Sequence, residues 1–366
     1  MKKIIITSVV AGMCVSASAQ APLWLRNTAV SPDGSTVAFT YKGDIYTVPV
    51  AGGQAHRLTS NPAYDTAPFW SPDGKTIAFT SDRDGSSDIF TVCAAGGTPE
   101  RITTHSGSET VRGWLNDSTI VFSASLYDDP VGLNSPFFHQ TYQVAARAGA
   151  RPQMYLPLAT SDGDFNSNGD FIFEDKKSFE NEKRKHEISS GTGDIHLYRN
   201  GEFTRLTSFK GNDRNPVWTG PDTYAFVSER DGSLNIYSAT VGKPGASALT
   251  HFKDHPVRSL SSSADGRMLV FSYDGEIYSL VPGEEPKKVD VRISTDDYDR
   301  DHIKRYVTSG ASNMAVSPSG EEVAFTLRGD IYVTSVKYKT TRRITDTPAQ
   351  ERCVSFSPDG RTLVYD

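Results

Sequence analysis

The sequence has very few cysteines and, beyond its first residues, no long apolar segment. Only Cys14, Cys93 and Cys353 occur in 366 residues. Three widely separated thiols do not make the disulfide framework of a small secreted scaffold, so the fold must be stabilised by packing. No later stretch approaches the roughly 18 consecutive apolar residues of a membrane-spanning helix, and we therefore expect no membrane anchor.

Positive charge is also scarce. The chain has 38 lysines and arginines against 44 aspartates and glutamates, a formal net charge of −6. An acidic chain without a basic stripe is not typical of a protein that binds nucleic acid or anionic lipid. We expect neither as a partner.

Catalytic and metal-binding motifs are missing as well. The sequence contains no GxSxG elbow, no HExxH motif and no closely spaced cysteine pair. Serine, histidine and aspartate are frequent, but a catalytic triad is defined by geometry and cannot be assigned from composition. We therefore name no catalytic residue, no metal ligand and no cofactor in this chain.

The first residues have the pattern of a secretory signal peptide. Lys2 and Lys3 form a basic start, residues 4–15 are mostly apolar, and Ala17-Ser18-Ala19 provides small residues for cleavage. This order is typical of a signal peptide over residues 1–19, which predicts a mature chain from Gln20. We expect an exported protein, with the periplasm as its compartment.

The remaining chain repeats one phrase, whose clearest copy is Ala67–Thr103. Ser71-Pro72-Asp73-Gly74 has the residues of a β-turn, because proline fixes φ, Ser and Asp bond nearby backbone, and glycine accepts positive φ. The segments 77–79 and 89–92 are short and rich in β-branched and aromatic residues, as strands are. One copy of the phrase predicts four short antiparallel strands.

The period of this phrase predicts the architecture. Corresponding turns begin at residues 31, 71, 115, 166, 219, 263, 317 and 357, between 40 and 54 residues apart. Four strands at this spacing are typical of a β-propeller blade. We predict an all-β fold: a six-bladed propeller of four-stranded antiparallel blades over residues 20–293, a connection over 294–310, and the beginning of a second, incomplete propeller over 311–366.

Two blades carry insertions between their second and third strands. Residues 124–140 expand the third blade and residues 174–193 expand the fourth. Both loops are expected on the same face of the disc. Two interpretations stay open: solvated loops, or contacts to another domain or subunit.

Two further patterns have a structural and a functional interpretation. Asp44, Asp194 and Asp330 begin the third strand of their blades, and a copy in so many repeats favours a structural role over a pore lining. Residues 164–175 match the spacing of a calcium loop, with Asp175 in place of its glutamate. Since Asn166–Gly169 is in register with the repeated turns and flanking helices are absent, we interpret this stretch as a turn.

The order of these features resembles the amino-terminal part of tricorn-type serine proteases in their secreted bacterial form. The resemblance is carried by residues 41–46, 184–186, 211–218, 255–258 and 310–318. It implies a six-bladed and then a seven-bladed propeller, followed by a PDZ domain and a serine-peptidase core. It also implies a peptidase that acts on peptides or unfolded proteins, whose catalytic residues follow both propellers and are therefore absent from this chain. The implied partners are this substrate and the protein's own downstream domains, with a homo-oligomer left open.

Arg112 is the one site residue that the resemblance suggests. In tricorn-type enzymes an arginine pair in the link between blades two and three is thought to hold the carboxyl end of a peptide. Here that link, Thr103–Trp114, contains only Arg112. A guanidinium group binds carboxylate in a bidentate manner, which suits this role. The alternative is an ion pair at the surface or between blades.

We interpret the chain as the scaffold and gating propeller of an exported tricorn-like peptidase. A non-catalytic, protein-binding propeller of the Tol-system type is one alternative, but it predicts one ring, and the repeats restart at Ala315. The propeller of a prolyl-oligopeptidase relative is another, and it would require a GxSxG-bearing domain after a larger propeller.

Overall fold

A computed structural model describes residues 24–126, 139–177, 188–294, 308–347 and 349–366. The chain divides into two compact units, Met1–Ser294 and Thr295–Asp366. The predicted signal peptide, most of the first insertion, half of the second and most of the predicted connection lie outside the described residues. All secondary-structure elements within the described residues are β-strands, so the predicted all-β class is confirmed. The same residues contain no helical segment with the length and hydrophobicity needed to traverse a bilayer.

The strands of the first unit are β1 (Arg26–Val30), β2 (Thr36–Tyr41), β3 (Asp44–Pro49), β4 (Gly53–Gln54), β5 (His56–Arg57), β6 (Asp65–Trp70), β7 (Thr76–Ser81), β8 (Asp88–Cys93), β9 (Glu100–Arg101), β10 (Glu109–Asn116), β11 (Thr119–Ala124), β12 (Gln140–Ala145), β13 (Gln153–Leu156), β14 (Thr160–Phe165), β15 (Phe171–Asp175), β16 (Ile195–Arg199), β17 (Glu202–Arg205), β18 (Asp213–Trp218), β19 (Thr223–Ser228), β20 (Asn235–Thr240), β21 (Ser247–Ala248), β22 (Arg258–Ser262), β23 (Leu269–Tyr273), β24 (Glu276–Leu280), β25 (Lys287–Lys288) and β26 (Val291–Arg292). Those of the second unit are β27 (Ala311–Val316), β28 (Glu322–Leu327), β29 (Asp330–Ser335), β30 (Thr341–Arg343), β31 (Ser355–Phe356) and β32 (Leu363–Val364).

These strands form antiparallel sheets of four in chain order, arranged like propeller blades. The described part of the first unit contains six of them, which we number one to six along the chain: β1-β2-β3-β5, β6-β7-β8-β9, β10-β11-β12-β13, β14-β15-β16-β17, β18-β19-β20-β21 and β22-β23-β24-β25. The second unit contains the sheet β27-β28-β29-β30 and the strand pair β31-β32. The prediction of four strands per repeat is confirmed.

The repeated turn forms because its side chains bond its own backbone. The Ser71 hydroxyl donates to Asp73 Oδ1 at 2.7 Å, and the same oxygen accepts from Lys75 N at 3.0 Å. Gly74 takes a φ of 70°, in the left-handed region where a side chain would be strained. The Ser71 hydroxyl is the main reason that the pKa of Asp73 falls to about 2. Each turn is thus a local unit that reverses the chain between a first and a second strand.

The core lies between neighbouring sheets and is built on one repeated aromatic pair. Phe39 on β2 faces Tyr46 on β3, with ring centroids 5.8 Å apart, and Phe39 is fully buried. Equivalent cross-strand pairs are Phe79–Phe90, Phe122–Tyr142, Phe226–Tyr237, Phe271–Tyr278 and Phe325–Tyr332. Apolar residues of adjacent sheets cover these rings, as where Val270 and Ile277 of sheet six pack in one cluster with Phe39.

Hydrogen bonds also join the sheets to each other. The indole of Trp70 donates to Ala29 O and that of Trp114 to Phe69 O, both at 3.0 Å, so each tryptophan binds the first strand of the preceding sheet. Sheets six and one are joined by Thr28, whose hydroxyl donates to Ser259 O at 2.5 Å. In addition, β26 pairs with β4 in parallel. The end of the first unit is thereby attached to the segment between β3 and β5 of its first sheet.

The aspartate that begins the third strand holds the fourth strand in place. Asp44 is buried and pairs with Arg57 at 2.9 Å. The equivalent pairs are Arg101–Asp88 at 2.6 Å, Arg205–Asp194 at 2.8 Å and Arg343–Asp330 at 2.8 Å. This repeated contact gives Asp44, Asp194 and Asp330 a structural role.

Glu109 is a buried acid at a position where other sheets have a buried acid paired with an arginine. The first strands of sheets two and five begin with buried Asp65 and Asp213, which pair with Arg83 at 2.9 Å and Arg230 at 3.0 Å. Sheet three has Glu109 there, fully buried. Burial raises the pKa of Glu109 to about 7, and the Thr103 hydroxyl and the Arg101 guanidinium offset only part of this.

We predict that Glu109 makes the protein less stable as the pH rises. The folded state binds the extra proton between the ordinary pKa of about 4.5 and the raised pKa of about 7, so the free energy of unfolding falls by up to about 3 kcal/mol across that window. Glu109→Gln removes this loss. Its melting temperature, measured by circular dichroism, should exceed that of the native protein at pH 8 and match it near pH 4.5.

Asp65→Asn is the matched control, because it leaves Arg83 without its buried partner. It should lower the melting temperature at both pH values. Equal effects of the two substitutions at pH 8 would contradict the assignment of Glu109 as an unpaired buried acid.

Candidate functional site

The first unit contains a cavity of about 1150 Å³. Its wall consists mainly of the first strands of all six sheets, namely β1, β6, β10, β14, β18 and β22. Because each sheet contributes the same strand, the cavity follows from the repeat and not from any single insertion. Such a space is somewhat larger than the roughly 300–1,000 Å³ of ordinary small-molecule pockets.

The pairing of every one of these first strands with the second strand of its sheet contains a register shift. The pairing register shifts between Arg26 and Ala29, and the bulge residue Asn27 has a φ of 51°. Ala67, Asn215 and Ser259 occupy the same place with φ between 47° and 52°. A β-bulge redirects a side chain and bends its strand. The bulges therefore recur around the cavity wall, which exposes both polar and apolar groups.

The bulge side chains also connect neighbouring first strands. Asn215 Nδ2 donates to Leu260 O at 3.1 Å, and Asn215 Oδ1 accepts from Leu260 N at 2.5 Å. The Thr66 hydroxyl donates to Asn27 Oδ1 at 3.0 Å. These bonds compensate for a left-handed backbone that costs a non-glycine residue about 1–2 kcal/mol.

The two ends of the cavity differ in charge. At the end where the first strands begin, which we call the loop mouth, its lining includes Arg112, Lys176, Arg214 and Arg258 together with Asp162 and Glu174. At the opposite end, the turn mouth, the lining includes Asp117 and Asp265, and no lysine or arginine occurs among the described lining residues there. The loop mouth is therefore the end that favours an anion.

Arg112 lies on β10 at the loop mouth. Its Nε donates to Ser123 Oγ at 2.9 Å, and its Nη1 lies 3.5 Å from Asp162 Oδ1. The side chain is 22% exposed and faces a carboxylate that is itself 47% exposed. The ion pair is long and partly exposed to solvent, and such pairs contribute little to protein stability. The structure thus places the predicted residue in the cavity wall beside one displaceable carboxylate.

Two basic residues that sequence reasoning missed lie near Arg112. Burial, and then the positive charges of Lys176 and Arg112, lower the pKa of His139. Lys176 lines the cavity and forms no ion pair within the described part of the chain. His139 and Lys176 come from the roots of the two insertions, in sheets three and four. In the sequence, the only sign of these two residues was their position beside an insertion, after a second strand or before a third. That position did not show that they lie near Arg112.

Asp164 is a buried carboxylate in the same wall. It accepts hydrogen bonds from Trp218 N and Phe165 N, both at 2.9 Å, and burial raises its pKa to about 6. Asn166 Oδ1 accepts from Asn168 N and Asp170 N, both at 3.0 Å, which is the bonding of a turn. The stretch with calcium-like spacing is thus a turn whose acids bond protein groups.

Comparisons with known proteins show that the chain is similar to tricorn proteases. The family model of the tricorn protease N-terminal β-propeller domain matches residues 22–286. Tricorn protease homolog 1 of Streptomyces coelicolor is 26% identical over 354 residues, which is 94% of this chain and 32% of that protein. Tricorn protease of Thermoplasma acidophilum is 29% identical over 137 residues, or 37% of this chain and 12% of that protein.

A solved tricorn protease structure has the same fold. It superposes with a TM-score of 0.69 at 21% identity and covers 91% of this chain and 32% of that one. The chain therefore spans about a third of the length of the first relative and of this structure.

We predict that the asparagine bridge stabilises the cavity wall. Asn215→Gly keeps the left-handed backbone free of strain but removes both bonds to buried Leu260, so it should lower the melting temperature by about 5 °C. Ser259→Gly is the matched control, since it places glycine at a bulge with the same φ. It should leave the melting temperature unchanged or slightly raised. Equal melting temperatures for the two variants would contradict a bridging role of Asn215.

Proposed function

We propose a scaffold and gating role in an exported serine peptidase for this chain, which belongs to the tricorn protease N-terminal β-propeller family. The observation that carries the proposal is the family match over residues 22–286, since these residues also build the cavity. The substrates we propose are peptides or unfolded proteins. Catalysis would be carried out by domains that follow these residues, as expected from the family.

We propose that the six sheets form a closed six-bladed ring over residues 20–293. The first strands adjoin one another in the cyclic order β1, β6, β10, β14, β18, β22 and again β1, which supports closure. The cavity is then the axial passage of the ring. We propose that a short extended peptide, which advances about 3.3 Å per residue, lies along this passage.

For residues 311–366 we propose the beginning of a second propeller, joined to the first by residues 294–310. The sheet of β27 to β30 has the same strand order and the same first-strand bulge as sheet one. Val316 is 56% exposed, whereas Val30, at the equivalent position of sheet one, is 5% exposed beneath sheet six. An apolar first strand of this kind suits coverage by a further blade.

We propose that the loop mouth receives the carboxyl end of a peptide and that Arg112 binds it. The guanidinium group would exchange its 3.5 Å contact with Asp162 for a bidentate contact with the peptide carboxylate. The opposite, acidic mouth disfavours a carboxylate and tolerates an ammonium group. The charge difference along the cavity therefore favours one orientation of a peptide with free termini.

Export is proposed from the amino-terminal sequence alone. Lys2 and Lys3, the apolar residues 4–15 and the small residues 17–19 support a cleaved signal peptide and a periplasmic location. Mass spectrometry of the native protein should find a mature amino terminus at Gln20.

Peptide binding by the full-length mature protein tests the role of Arg112. A fluorescent hexapeptide with a free carboxylate should bind more tightly than its carboxyl-terminal amide, as measured by fluorescence anisotropy. Arg112→Ala should weaken binding of the free acid about tenfold or more, since a hydrogen bond to a charged group contributes about 1.5–3 kcal/mol, and should leave the amide unaffected. Arg147→Ala, in an exposed turn, is the matched control and should change neither affinity.

Equal binding of acid and amide, or equal effects of the two arginine substitutions, would contradict the carboxylate site. Absence of peptide binding, together with capture of a folded protein partner, would favour the alternative of a protein-binding propeller.

A further inference from the structure

Sheet four departs from the repeat at the third-strand position that faces its buried phenylalanine. In the other described sheets of the first unit this residue is tyrosine or phenylalanine, as in Phe39–Tyr46, but in sheet four it is His196 opposite Phe173. Two residues after Phe173 lies Asp175, whereas the other five sheets have uncharged residues there, namely Tyr41, Ser81, Ala124, Ser228 and Tyr273. Features shared by all repeats serve the fold, so a histidine and a carboxylate found at these positions in one sheet indicate a local function.

These departures bring three metal-ligating side chains together. His196 Nε2 lies 3.4 Å from Asp175 Oδ2, and Asp175 Oδ1 accepts from Asp194 N at 2.7 Å. One ligand atom from each of Asp175, Asp194 and His196 lies within 4.8 Å of the others. Two carboxylates that face each other across strands repel unless a cation lies between them.

One buried polar atom of this cluster is unsatisfied, and a second has a long contact. The Asp194 side chain is 4% exposed, and its Oδ2 pairs with Arg205 at 2.8 Å. Its Oδ1 is buried with no hydrogen-bond partner within the described residues. His196 Nε2 is also buried and lies 3.4 Å from Asp175 Oδ2, which is long for a hydrogen bond. A buried polar atom without a partner is unfavourable, so such atoms in a native structure commonly indicate an unseen water or ion.

The side chain of Lys177 shows where a cation lies in this cluster. Its ammonium group contacts Asp194 Oδ2, lies 3.5 Å from Asp175 Oδ2, and donates to Thr192 O at 3.0 Å. The side chain is 34% exposed and belongs to a flexible residue type, so it can move into solvent. The ammonium group of Lys177 and a metal ion would thus compete for one position.

We propose that Asp175, Asp194 and His196 bind a divalent transition metal of the zinc type, which displaces the ammonium group of Lys177. Imidazole nitrogen and carboxylate oxygen are both ligands of Zn²⁺, and a site with three protein ligands leaves the fourth position to a water molecule. Ca²⁺ and Mg²⁺ prefer oxygen ligands only, so the imidazole argues against them. Arg205 stays on Asp194 and compensates part of its charge.

The site is separate from the cavity. Asp175 does not belong to the cavity wall, but its neighbours Glu174 and Lys176 do. A bound metal would therefore fix the end of β15 from which Lys176 reaches the loop mouth. The proposal rests on the cluster alone and does not depend on the proposed peptide site.

Metal titration of the full-length mature protein tests the proposal. Isothermal calorimetry with Zn²⁺ should show one site, and Co²⁺ at that site should give visible d–d absorption. His196→Tyr should weaken binding at least about tenfold, since it removes a ligand. This change restores the tyrosine of sheets one, three, five and six, so the fold is expected to tolerate it. Asp175→Ser, the residue of sheets two and five, should weaken binding likewise.

Two further variants separate this cluster from incidental binding. Lys177→Met should tighten Zn²⁺ binding about tenfold, because it removes the competing cation. His255→Ala is the matched control, since His255 lies 3.5 Å from Asp274 in an exposed pair without a second carboxylate, and should change nothing. The proposal is wrong if the native protein shows no stoichiometric Zn²⁺ binding, or if His196→Tyr and Asp175→Ser bind Zn²⁺ as the native protein does. It is also wrong if Lys177→Met does not change the affinity, or if His255→Ala abolishes binding.

Discussion

The structure depends on one constraint: a four-stranded sheet with two apolar faces is stable only when neighbouring sheets cover both of them. Phe39 and its equivalents are fully buried because residues of the adjacent sheet, such as Val270 and Ile277, lie against them. The hydrogen bonds of the tryptophan indoles to neighbouring first strands, and the pairing of β26 with β4, also hold neighbouring sheets together. A central cavity is a consequence, because sheets that pack side by side leave their first strands around a common space.

The parts of this fold that depend on local chemistry were predictable from the sequence. A Ser-Pro-Asp-Gly turn satisfies its own hydrogen bonds, so it can be recognised without knowledge of its surroundings, and its recurrence predicts the strands on either side. The cross-strand aromatic pair and the Asp–Arg pair of the outer strands also follow from spacing within one repeat. Arg112 was predicted in a link between two sheets, whereas it lies within the strand β10, and its loose contact with Asp162 was not predictable.

What the sequence did not reveal depends on contacts between repeats. The left-handed bulge residues of four first strands are Asn27, Ala67, Asn215 and Ser259, which are of three different residue types, so no single motif marks them. Lys176 and His139 approach Arg112 from different sheets. Glu109 is an acid like its equivalents Asp65 and Asp213, and what sets it apart is that the arginine at the end of the second strand is missing in its sheet. Alignment of the repeats against one another would have exposed Asp175 and His196, since the other sheets of the first unit have tyrosine or phenylalanine in place of His196 and no charged residue in place of Asp175.

Our central claim is that the cavity of this tricorn-family propeller binds peptides with their carboxyl end at the basic loop mouth. Photo-crosslinking of the full-length mature protein with a peptide that carries a photoreactive group on its carboxyl-terminal residue tests this most directly. The account predicts crosslinks, identified by mass spectrometry, to residues around Arg112 and Lys176. Crosslinks to the outer strands, such as β17, or to the turn mouth around Asp117 and Asp265 would contradict it.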